Sequence, residues 1–171
     1  MLIAAVLVIF PLCMAMAATN DFLSMTIPNR LSVILVASFL CIAPFSGLSA
    51  IDLGWHLLTG VVVFAAGFAL FALRVMGGGD AKILAASAIW YGWTDATVAY
   101  FAYVGLFGGL LAVIVLLLRA NANFIILSGL PVPATMMQAN KVPYGIAIGA
   151  AAFATFPQSP MFQSIVGILP S

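Results

Sequence analysis

Nine charged side chains serve the whole of this 171-residue chain: five Lys or Arg and four Asp, with no Glu at all. A soluble core of this size needs a charged shell, and roughly a quarter of the residues in soluble domains are charged. Here charged residues make up 5% of the chain and apolar residues 65%. Lipid must therefore be the solvent, and the fold class expected is all-α, because helices satisfy their own backbone polar groups in hydrocarbon. The net charge of +1 says nothing about partners. The bilayer itself is one partner, and no nucleic acid is expected.

Apolar runs separated by charges and breakers predict about six spans, at approximately 2–22, 31–46, 55–74, 80–94, 97–118 and 142–157. The second, fourth and sixth are short against the ~20 residues that a spanning helix needs. The first run lacks the positive start of a secretory signal, so it reads as a retained helix. With loops alternating between two sides, Arg30, Arg74, Lys82, Arg119 and Lys141 fall on one side, and Asp52, His56 and Asp95 on the other. The bias of Lys and Arg toward the cytoplasm makes the first side cytoplasmic. Tyr91 and Trp93 then suit an outer aromatic belt, and Gly105/Gly109 and Gly145/Gly149 read as helix-packing pairs. The single long loop, 121–140, holds the apolar run Phe124 to Leu127 with Pro131 and Pro133. No linker or repeat divides the chain, so residues 1–171 read as one transmembrane domain.

Metal and disulfide chemistry find no support. Cys13 and Cys41 lie in apolar runs, form no C-x-x-C, and read as two small buried hydrophobes. His56 has no second His or Cys nearby and reads as an interfacial residue beside Trp55. No metal or other cofactor is expected.

The acids carry more information. Pro28 biases Ile27 away from helical geometry, which ends the first helix a few residues earlier and leaves Asp21 in its last turn. Asn29 suits the N-cap of the second helix. Asp80 follows Gly77-Gly78-Gly79 and precedes Ala81-Lys82. Three glycines cost roughly 1 kcal/mol each inside a helix relative to Ala, which is more than a simple cap requires. Asp21 and Asp80 thus approach one side of the membrane from two different helices. A carboxylate pair of this kind can hydrolyse peptides, one group activating water while the other polarises the carbonyl. Two such groups close together resist double ionisation.

These motifs resemble those of a known family. Gly77-x-Gly79-Asp80 resembles the G-x-G-D signature of membrane aspartyl proteases, and Gly79-Asp80-Ala81-Lys82 the G-D-x-K run of the type IV prepilin peptidases. Asp21 followed by Ile27-Pro28-Asn29-Arg30 is similar to that family's first-aspartate region. Lys141-Val142-Pro143-Tyr144-Gly145 resembles the start of the last helix in its short CpaA/TadV branch. The resemblance implies Asp21 and Asp80 as the catalytic pair, with Gly77, Gly79, Lys82, Pro28 and Asn29 as supporting residues. It implies prepilin or pseudopilin precursors as substrates, with a short basic leader cut where the hydrophobic helix begins. It also implies a multi-pass protein of the bacterial inner membrane with its site at the cytoplasmic face, serving a tight-adherence (Flp) pilus and its assembly machinery. Long members add paired C-x-x-C motifs and methyl transfer; without these cysteines or that length, peptidase activity alone is expected.

Helix-end electrostatics adds an assignment of roles: Asp80, opening a helix beside Lys82, as the base, and Asp21, closing one, as the acid. Gly77 and Gly79 read as shaping the backbone, and Arg74 and Lys82 as lipid anchors or substrate guides. The competing function is a non-enzymatic transport or pilus-assembly subunit, since membrane acids also mark ion pathways.

Overall fold

A computed structural model describes residues 2–122 and 142–167. Lys141 and nearly all of the 121–140 loop, with its Phe124 to Leu127 run, lie outside the described residues. All regular structure among those described is helical: α1 (Leu2–Ser24), α2 (Asn29–Ile42), α3 (Ala50–Ala72), α4 (Gly78–Ala88), α5 (Asp95–Ala120), α6 (Tyr144–Thr155) and α7 (Pro160–Val166). Short 3₁₀ turns at Ala43–Phe45 and Phe156–Gln158, each carrying a proline, follow α2 and α6. Within α1, α3 and α5 lie segments long and apolar enough to cross a membrane, namely Ala4–Ser24, Ala50–Ala72 and Asp95–Ala120.

The short helices pack against and between these longer ones. α4 is the axis of the bundle: α2 and α3 pack along it, α6 touches it, and α1 and α5 close over α6. Its sequence permits this, because Ala81, Ala85, Ala86, Ser87 and Ala88 are small and buried. Gly67 of α3 brings the two helices together, since a Cβ there would stand 3.0 Å from Ala81 Cβ. The apolar run expected to cross at 80–94 is thus enclosed by protein, and it leaves helical geometry after Ala88.

The far end of α4 is fixed by polar bonds that burial makes obligatory. Trp90 Nε1 donates to Leu35 O at 3.2 Å. Tyr91, 0% exposed, donates to Ala152 O at 3.2 Å and stacks on Tyr100, so it belongs to the core and not to an aromatic belt. Trp93 is exposed beside Trp55. His56, expected at the interface, is only 3% exposed; its Nδ1 meets Ile89 O at 2.6 Å. That carbonyl lies at the end of α4, where helical partners run out. Cys13 is buried as expected, but Cys41 is exposed.

The two glycine pairs divide. Gly149 packs α6 on α1, a Cβ there standing 3.0 Å from Ala18 Cβ and 3.1 Å from Met14 O. Gly105 and Gly109 meet nothing within 4 Å, so neither packs helices among the described residues.

Candidate active site

Four helix termini converge at one end of the bundle: the end of α1, the end of α3, the start of α4 and the start of α6. Between them lies a cavity of about 470 Å³ whose walls include Asp21, Asp80, Phe71, Arg74, Met76 and Tyr144. The two aspartates are thus brought to one cavity and lie within electrostatic range of each other.

Asp21 occupies the last turn of α1, and its side chain is 5% exposed. Gly145 N–H, in the first turn of α6, donates to Asp21 Oδ2 at 2.7 Å. The start of a helix has amides without intrahelical partners, and a carboxylate is their natural acceptor. Gly145 must be glycine here: a Cβ would stand 2.7 Å from Asp21 Cβ and 2.9 Å from Asp21 Oδ2. No pattern in the sequence ties Gly145 to Asp21 across 124 positions, although it sits in the Lys141 to Gly145 run.

Asp80 lies in the first turn of α4, where Gly77 is the N-cap residue. Its Oδ2 lies against Gly77, leaving only 2.7 Å to a Cβ placed there. This half of the carboxylate is that of an ordinary helix cap. The other half is not, because Asp80 Oδ1 is buried and has no hydrogen-bond partner among the described residues. An orphaned carboxylate oxygen costs on the order of 1–3 kcal/mol or more, which a cap does not require. The glycines themselves start α4 early: Gly78 and Gly79 are helical, and a Cβ on Gly79 would stand 3.2 Å from Ile27 Cβ and 3.4 Å from Ile27 N.

Ile27 is therefore the common contact of three motifs. It packs on Gly79, its Cδ1 would stand 3.0 Å from a Cβ on Gly145, and it precedes Pro28-Asn29. Pro28, not Asn29, is the N-cap residue of α2. Asn29 is the first helical residue, and its Oδ1 accepts from Lys82 Nζ at 3.0 Å. Lys82 consequently has no share in the aspartate cavity; two residues from Asp80 on a helix, it projects from the other side of α4.

Arg74, expected as a lipid anchor or a substrate guide, stands at the aspartates. It lines the cavity from a left-handed turn (φ 59°) that closes α3, and Met25 (φ 52°) turns the chain likewise after α1. The other acids lie elsewhere. Asp52 forms a capping box with Ser49 at the start of α3, and Asp95 is exposed in the first turn of α5. No group of three or more His, Cys, Asp or Glu side chains that could hold a metal occurs among the described residues.

No curated protein and no solved structure matches the chain. The family profile does: that of the type IV leader peptidases matches residues 8–117, which include both aspartates and every residue between them. These peptidases are membrane-embedded proteases of prepilins, and the chain belongs to the type IV leader peptidase family.

Proposed function

We propose that this chain is an aspartyl endopeptidase that removes the leader of Flp-type prepilins, with Asp21 and Asp80 as its catalytic pair. The observation that carries this reading is that both carboxylates, 59 positions apart in sequence and on different helices, line one cavity at the ends of four helices. One carboxylate takes a proton from water, the resulting hydroxide attacks the scissile carbonyl carbon, and the other gives its proton to the carbonyl oxygen. Collapse of the tetrahedral intermediate passes a proton to the leaving nitrogen.

The hydrogen bonds favour roles opposite to those that helix-end charges alone suggest. Gly145 N–H already occupies Asp21 Oδ2, and such a bond is strongest to a charged acceptor. Asp80 Oδ1 faces no donor, and a proton there has no competitor. Asp21 is then the base and Asp80 the acid. Gly77, Gly79, Pro28 and Asn29 shape the two helix ends, and Arg74 lies where it can hold a substrate carbonyl.

The Lys141 to Gly145 run favours the short CpaA/TadV branch of the family. Cys13 and Cys41 form no paired C-x-x-C, which favours peptidase activity without methyl transfer. The described basic residues on the aspartate side favour a site at the cytoplasmic face of the bacterial inner membrane. Co-expression with candidate Flp-type prepilins tests the whole reading. A faster-migrating product with the leader removed is expected, and an uncut precursor beside stably inserted protein would contradict it.

A further inference from the structure

Lys82 belongs to the G-D-x-K run, yet it does not face the aspartate cavity. It stands at one end of an apolar groove of about 720 Å³ between α2, α3 and α4. The groove extends from Lys82 and Ser32 toward Leu40 and Leu57, that is, from the aspartate end of the bundle toward the opposite end. Its outer lips, Val33 and Val61, are exposed, so it opens on the surface that faces lipid.

Its polar groups all lie at one end and seek an acceptor. Lys82 Nζ has three donors and gives one to Asn29 Oδ1. Ser32 Oγ, on the groove wall, is buried without a hydrogen-bond partner among the described residues. A cation with donors to spare and an unused hydroxyl together suit an anion. The long wall of Val36, Ala37, Leu57 and Phe64 suits a hydrocarbon chain.

We propose that this groove holds one anionic phospholipid, with an acyl chain along α2 and α3 and its phosphate on Lys82 Nζ and Ser32 Oγ. Basic pockets between membrane helices recognise lipid headgroups in this way. A polypeptide fits the same groove less well. The groove shares no lining residue with the aspartate cavity, and Ile27 packed on Gly79 closes the α1–α2 connection onto α4. The bound phosphate braces the Lys82–Asn29 clasp, two residues from Asp80. The proposal does not depend on the peptidase reading.

The test is native mass spectrometry of the full chain in non-ionic detergent, titrated with phosphatidylglycerol and phosphatidylcholine of equal chain length. One phosphatidylglycerol per chain should be retained in preference to phosphatidylcholine. Lys82→Met should cut that preference about fivefold, and Lys82→Arg should keep it. Ala37→Trp, at an exposed position on the wall, should reduce retention of both lipids. Equal retention of the two lipids by the unmodified chain would overturn the proposal, as would an unchanged preference in Lys82→Met. If Lys82→Met does not fold, Ser32→Ala and Ala37→Trp decide, and unaltered retention in both overturns it. A photoreactive side chain at Leu57 should label lipid; capture of a co-expressed prepilin there instead would assign the groove to substrate. None of these readouts uses cleavage, so they can fail while the peptidase reading stands.

Discussion

Gly145 N–H donates to Asp21 Oδ2 at 2.7 Å, joining the start of α6 to the last turn of α1. The bond fixes one carboxylate oxygen of the cavity from outside its own helix. It also leaves no room for a side chain on Gly145. Gly145→Ala should therefore displace Asp21 while keeping the amide, and a misplacement of this order costs on the order of a hundredfold in rate. Gly105→Ala is the matched control, because its Cβ meets nothing within 4 Å. Prepilin cleavage rates of the two variants, with insertion checked by membrane fractionation, measure the difference. Equal rates would deny Asp21 its dependence on this contact.

Ile27 is the next point of leverage, being the apolar side chain that touches both Gly79 and Gly145. Removing a buried Ile side chain costs about 2–5 kcal/mol where the site cannot collapse. Ile27→Ala should lower the thermal midpoint in detergent and slow cleavage together. Ile51, exposed on the first turn of α3, supplies a comparison in which Ile→Ala should change neither.

Lys82 should not tune the pair, since it bonds Asn29 and lines a different cavity from Asp80. Lys82→Met is expected to leave the acidic limb of the pH–activity profile in place. The measurement uses a synthetic prepilin in detergent. A limb raised by several tenths of a unit would restore Lys82 to the neighbourhood of Asp80's charge.

Much of this was legible in the sequence, because the strongest signals were local. Pro28 ended the first helix and put Asp21 in its last turn; the glycines put Asp80 in the first turn of α4. What could not be read depends on side-chain direction and on helix neighbours. Asp80 and Lys82 are two residues apart and so lie on different faces of one helix, which a linear motif hides. Tyr91 and His56 look interfacial by position, but their polar atoms reach Ala152 O and Ile89 O, acceptors supplied by distant segments. α4 is short and enclosed by its neighbours, and hydropathy alone cannot tell a run that packs against protein from one that faces lipid.

The separation of charge between the two ends of the bundle predicts an orientation. Arg30, Arg74, Lys82 and Arg119 are at the aspartate end, and Asp52 and Asp95 are at the other. Topology reporters fused after Arg74 and after Arg119 should read cytoplasmic, and one at Ala50 external. An external signal after Arg74 would put the aspartate cavity on the opposite face from the proposed cleavage.

If the two carboxylates of one cavity act as a pair, neither can be replaced without loss of activity. Asp21→Asn and Asp80→Asn keep the size of each side chain while removing its charge and its exchangeable proton. Each should abolish leader cleavage of a co-expressed prepilin while the protein remains in the membrane at its usual level. Asp52→Asn and Asp95→Asn, at the far end of the bundle, should process normally. Near-normal cleavage by either Asp21→Asn or Asp80→Asn would contradict the aspartyl mechanism.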